Sequence, residues 1–91
     1  MSVTLRLPPV LRTVMNGKAE LAGDGGTIEQ VLRSLADAYP ALGLHLFDEA
    51  GAVRRNIICL HENIVVRARD FAGHAVASGD ELVMTNLLAG G

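Results

Sequence analysis

Over the first seven residues apolar and polar positions alternate, with Val3, Leu5 and Leu7 on one side and Thr4 and Arg6 on the other. A period of two is what a strand with one covered face requires, because successive side chains point to opposite faces. Pro8-Pro9 ends the run. Lys18 to Ala22 alternates again, with Ala19 and Leu21 on one face, and Asn16-Gly17 between the two runs marks a turn. After a loop at Gly23-Asp24-Gly25-Gly26 the period changes. Ile28, Val31, Leu32, Leu35 and Tyr39 recur at three and four residues, the stripe of a helix with a single core face. Thr27-Ile28-Glu29-Gln30 reads as a capping box, in which the Thr27 hydroxyl accepts from the Gln30 amide while the Gln30 side chain reaches back. Glu29 in the first turn suits the helix dipole. Pro40 stops the helix at about Tyr39.

From Ala41 to Ala52 the pattern gives no clear period. Leu42, Leu44, Leu46 and Phe47 supply apolar anchors, and Asp48-Glu49-Ala50-Gly51 reads as a turn. Asn56 to Leu60 is rich in β-formers with apolar residues on both faces, as an interior strand requires. His61-Glu62-Asn63 turns the chain into a short strand at Ile64-Val65-Val66. A loop carrying Phe71 and Val76 follows, then a turn at Ser78-Gly79-Asp80 and a last strand from Glu81 to about Asn86. The order strand, strand, helix, strand, short strand, strand predicts an α+β domain. In it, two hairpin-like units flank one helix that covers a single face of a mixed sheet.

Ninety-one residues make one domain with one core. The chain is 49% apolar and 20% charged, which places it among globular rather than disordered sequences. With aromatics only at Tyr39, Phe47 and Phe71, that core must be built from Leu, Val, Ile and Ala. The net charge is −2 and the eight Lys and Arg residues are scattered, so nucleic acid is not the expected partner. No apolar run approaches the ~20 residues that span a bilayer, and the opening Met1–Leu7 lacks a signal-peptide pattern. A cytoplasmic location is the expectation.

Candidate chemistry inside the domain is sparse. His45, His61 and His74 sit in different segments, with no spacing that matches a zinc signature, and are expected as surface or loop residues. Cys59 lies within an apolar run, where a thiol is buried and inert. Asp48 and Glu49 are neighbours in a turn, a weak basis for an acid–base pair. The glycine-rich loop before the helix matches no phosphate-binding fingerprint. Neither an internal active site nor a metal site is expected.

The other end of the chain differs. Leu87-Leu88-Ala89-Gly90-Gly91 follows the last strand and can extend roughly 17 Å at 3.3–3.6 Å per residue. Gly90 and Gly91 lack a Cβ and can thread a narrow channel. Such a segment is either a frayed terminus or an arm that carries the Gly91 carboxylate into another protein.

Several motifs, in order, match one family: Leu7-Pro8 with Leu11-Arg12, Gly26-Thr27-Ile28, Tyr39-Pro40-Ala41-Leu42, Asp48-Glu49-Ala50-Gly51, Ser78-Gly79-Asp80-Glu81 and Ala89-Gly90-Gly91. Through them the chain resembles, over almost its whole length, the ThiS/MoaD family of ubiquitin-like sulfur carriers. In length it is nearer the cysteine-biosynthesis carriers, and longer MoaD-like chains, than the short thiamine carriers. It departs from the family pattern at Asn86, where Pro commonly precedes the tail, and at His61-Glu62-Asn63, where an Asn-Gly-type turn is usual.

The resemblance implies a β-grasp fold: a mixed four- to five-stranded sheet with one main helix on one face, spanning residues 1–86, and a flexible tail over 87–91. It implies a protein co-substrate rather than an enzyme, one that could also serve as the small subunit of a synthase such as molybdopterin synthase. An E1-like enzyme using ATP and Mg would adenylate Gly91 and convert it to a thiocarboxylate; the chain itself holds no cofactor and no metal. Leu87, Leu88, Ala89 and Gly90 would thread the partner's active site. Cysteine synthesis leads among the acceptors, with molybdopterin, thiamine or a thio-containing natural product as others. Val83, in the doubly apolar run Leu82-Val83-Met84, and Leu87 are expected to form a docking patch for the activating enzyme. The alternatives are a ubiquitin-like modifier joined to lysines and a non-catalytic binding module. Neither a nucleic acid nor a membrane is expected as partner.

Overall fold

Five strands and three helices are present in the computed structural model, which describes residues 2–86, the last by its backbone alone. They are β1 (Val3–Arg6), α1 (Pro9–Val14), β2 (Glu20–Gly23), α2 (Ile28–Ala38), α3 (Pro40–Leu46), β3 (Ile57–His61), β4 (Ile64–Arg67) and β5 (Glu81–Asn86), with a 3-10 turn at Ala68–Asp70. The sheet order is β2-β1-β5-β3-β4. Strands β1 and β2 are antiparallel, as are β3 and β4, while β5 lies between the two pairs, parallel to β1 and antiparallel to β3. This is the mixed β-grasp sheet that the sequence motifs implied.

The alternation read in the sequence decides the faces. Val3 and Leu5 of β1, Leu21 of β2, Ile57 and Cys59 of β3, Val66 of β4, and Leu82 and Met84 of β5 all turn to one side and are buried. Helix α2 closes over them with Ile28, Val31, Leu32 and Leu35. Burying such side chains contributes roughly 1.5–3 kcal/mol each, the main favourable term for a domain this small.

The capping box forms, with one difference in detail. The Gln30 amide donates to Thr27 Oγ1 at 3.2 Å, whereas Gln30 Oε1 accepts from the Gly26 N–H at 2.8 Å, one residue before the cap. Gly25 makes this fit possible: a Cβ there would lie 2.6 Å from the Gln30 Cβ.

Two helices are additional to the sequence reading. Pro9 ends the β1 run and also opens α1, and Pro40 ends α2 and opens α3, because proline is suited to the first helical turn. Of the apolar anchors expected after Pro40, Leu42 and Leu46 are buried, but Leu44 faces solvent. The turns fall where expected. Asn16 and Gly17 both have positive φ, as do Glu62 and Asn63 between β3 and β4. Asp48 holds its turn by accepting from the Ala50 and Ala52 amides at 2.9 and 3.0 Å.

Candidate functional site

Strand β5 carries the chain toward the proposed working end. Its last pairing joins Asn86 to Ile57, at the position where the family pattern has Pro. The expected tail, Leu87, Leu88, Ala89, Gly90 and Gly91, lies outside the described residues, as does the Leu87 half of the expected docking patch.

The other half can be placed. Strand register puts Val83 on the face opposite the core, between Arg6 of β1 and Leu60 of β3, with Val65 of β4 next in line. Arg6, Val83, Leu60 and Val65 thus form one row across four strands. Val83 and Leu60 are half-buried and Val65 is 58% exposed. A second row sets Ile58 between Thr85 and Arg67. The outer face is therefore an apolar strip bordered by arginines, on a sheet whose other face packs under α2 along its central strands.

Three arginines meet where β5 ends. Arg55, Arg67 and Arg69 line a shallow hollow of about 370 Å³ beside Ala68. Arg69 lies 3.9 Å from Asp70, and among the described residues Arg55 and Arg67 have no ion-pair partner. Arg55 is separated in sequence from Arg67 and Arg69, and the scattered basic composition concealed their convergence. The only sequence signal is that Arg55 precedes β3 while Arg67 ends β4 and Arg69 follows it, the two ends that a hairpin must bring together.

Cys59 is completely buried, and burial pushes its thiol up to about 12, in keeping with an inert core residue. Asp48 serves its own turn through the two amide contacts described, and Glu49 is exposed. The N-terminus of α2 already has its donors engaged, with the Ile28 amide donating to the His74 carbonyl and the Glu29 amide to the Phe71 carbonyl, both at 3.1 Å. The preceding glycine-rich loop is thus part of a closed cap. Among the described residues no group of three His, Cys, Asp or Glu side chains is arranged to hold a metal ion. No described helix is long and apolar enough to cross a membrane.

The expectation of three surface or loop histidines fails for His61. It is the last residue of β3, 5% exposed, on the core face. Its Nδ1 lies 2.8 Å from His74 Nε2 and its Nε2 lies 2.8 Å from Asp80 Oδ2. Burial is tolerated because both ring nitrogens find partners. Those partners come from 13 and 19 residues away, so no local spacing could announce them.

No protein-family model and no curated protein sequence matches the chain. Solved structures do. SAMP1 of Haloferax volcanii superposes with a TM-score of 0.80 at 28% identity, covering 100% of both chains. CysO in the Amycolatopsis orientalis BexX/CysO complex gives a TM-score of 0.77 at 23% identity, over 98% of this chain and 99% of that one. CysO of Mycobacterium tuberculosis gives 0.76 at 22% identity, over 94% and 99%. The last two establish the shared fold. The chain is therefore a ubiquitin-like β-grasp protein, similar along its whole length to carriers and modifiers of the ThiS/MoaD type.

Proposed function

We propose that this chain is a sulfur carrier whose reactive group is the Gly91 carboxylate, and that it acts as a protein co-substrate rather than an enzyme. The observation that carries the proposal is the end-to-end superposition on SAMP1, combined with the Ala89-Gly90-Gly91 sequence that follows the central strand. A carboxylate is a poor electrophile. An E1-like enzyme would join it to AMP from Mg-ATP, releasing pyrophosphate. Hydrosulfide would then attack the acyl carbon and expel AMP, leaving a thiocarboxylate. A persulfide donor would reach the same product through an acyl disulfide that a thiol then cleaves. The sulfur stays tethered until an acceptor enzyme consumes it. Cysteine synthesis is the favoured destination, because CysO is among the similar structures.

Docking of the activating enzyme is assigned to the strip around Val83 and to Leu87, with acidic groups of the partner facing Arg55 and Arg67. The CysO of the Amycolatopsis complex binds a protein partner, BexX, which supports a partner-binding role for this fold. Conjugation to lysines is the second reading, favoured by the similarity to SAMP1, a small archaeal modifier protein. Intact-mass spectrometry after incubation with an activating enzyme, ATP and sulfide tests the proposal. One oxygen-for-sulfur exchange at Gly91 supports the carrier and lysine-linked products support the modifier. An unchanged mass overturns both.

A further inference from the structure

The contacts His74–His61–Asp80 have no part in the chemistry of the tail. They sit where β5 begins, whereas the tail follows its other end. Ionised Asp80 only accepts, so His61 Nε2 must carry a hydrogen and donate it to Oδ2 across 2.8 Å. In neutral His61 the Nδ1 is then bare, and it accepts from His74 Nε2–H across 2.8 Å. One added proton breaks neither bond, since it can sit on His74 Nδ1 while Nε2–H still donates. A second has only His61 Nδ1 left. There its N–H would face the His74 N–H, and two cations would share a contact made for one hydrogen bond.

The surroundings set the charge balance of this contact. Glu62 Oε1 lies 3.7 Å from His61 Nε2, a second carboxylate beside Asp80. Across the sheet the neighbours of His61 are apolar, Leu82 on β5 and Ile64 on β4. Glu81 pairs with Thr4 on the outer face, and Glu29 of α2 is engaged with Arg33 at 3.3 Å. Among the described residues no basic side chain forms an ion pair in the cluster. Two carboxylates match even two positive charges in number, so the second proton is opposed by the loss of the hydrogen bond between the rings and by their mutual repulsion.

His74 belongs to the segment that caps α2. Its carbonyl accepts from the Ile28 amide at 3.1 Å, Phe71 accepts from Glu29 at 3.1 Å, and the Val76 amide donates to Gly26 at 3.0 Å. Asp80 also accepts from the Ala77 amide at 2.8 Å, and its backbone carbonyl from the Thr4 amide at 3.0 Å. We propose that His61, His74 and Asp80 form a proton-responsive clasp. It holds the 71–80 loop on the N-terminus of α2 while the two imidazoles carry at most one extra proton, and it releases the loop when both are charged. The Ala77 amide, with the His61 contact next, keeps the Asp80 carboxyl below the usual carboxylate range. Asp80 therefore stays an ionised acceptor for His61 Nε2 in mild acid, and the clasp changes only through the hydrogens on the two rings.

Amide hydrogen exchange, as protection factors at about pH 7.5 and about pH 5, tests the clasp on the full chain. In the parent, protection of Ile28, Glu29 and Val76 should fall about tenfold or more on acidification, while amides in the middle of β5 hold theirs. In His74→Gln the side-chain amide can donate to bare Nδ1 or turn to accept from Nδ1–H, and it does not titrate, so the fall should be less than about twofold. Unchanged protection in the parent overturns the proposal, as does an equal fall in the variant. Ring-nitrogen NMR of the parent is an independent check: at neutral pH, a hydrogen on His61 Nδ1 in place of Nε2 would overturn the assignment.

Discussion

The two ends of strand β5 solve opposite problems. Where it begins, polar groups converge and saturate one another: Asp80 accepts from His61 and Ala77, the rings of His61 and His74 meet at 2.8 Å, and the loop carbonyls cap α2. Among the described residues no buried side-chain nitrogen or oxygen lacks a hydrogen-bond partner. Where β5 ends, Arg55 and Arg67 have no ion-pair partner among the described residues, and the strip of Val83, Leu60 and Val65 lies partly open beside them. One end spends its polar chemistry on holding the body together. The other leaves charge and apolar surface available to a second protein. A domain acting as the proposed carrier needs both.

The largest expected effect comes from breaking the closed end. Phe71 is completely buried and anchors the loop that bears His74. Phe71→Ala should cost about 3–5 kcal/mol in urea denaturation. A loss below about 1 kcal/mol would show that the hydrogen bonds alone hold the loop. Next is the open face, where Val83→Asp should weaken affinity for the activating enzyme about tenfold or more by calorimetry. Its effect on stability should stay within about 1 kcal/mol. If stability collapsed instead, Val83 would belong to the core and the contrast between the faces would fail.

A pH experiment sharpens the comparison further. The folded value of Asp80 lies below its unfolded value of about 3.9, so the ionised carboxylate stabilises the fold above that pH. The contribution is lost as pH falls through the lower folded value. Asp80→Asn should therefore show a shallower decline of Tm between about pH 5 and pH 2 than the parent. Equal declines would remove Asp80 from the acid limb. The smallest change is in the β3–β4 turn, where Glu62 and Asn63 have φ of 52° and 65°. Asn63→Gly should gain about 0.5 kcal/mol in chemical denaturation, because glycine enters that region without steric cost.

Helix α2 was legible because two independent local signals, the Thr27–Gln30 cap and the apolar stripe from Ile28 to Leu35, agree on one register. Strands β1, β3 and β5 were legible through alternation or β-rich apolar runs. Helices α1 and α3 were not: each spans two turns or fewer, and Pro9 and Pro40 signal an end as strongly as a beginning. Leu44 looked like a core anchor because apolar identity does not report which side of so short a helix it occupies. His61 was misplaced for another reason. Its burial depends on His74 and Asp80, and only the tertiary fold unites them. The arginines at the end of β5 escaped notice in the same way, while Val83 could be assigned because its neighbours in sequence already showed apolar character on both faces.

The strand that completes the sheet is the last of the described strands in sequence order. Until β5 leaves the ribosome, β1–β2 and β3–β4 are two separate ribbons with no partner between them, and two-stranded ribbons are marginal in water. Non-local closure of this kind makes assembly of the sheet wait for β5. A nascent chain still lacking its final strand cannot display the assembled outer face, so an enzyme that recognises that face is blind to unfinished copies.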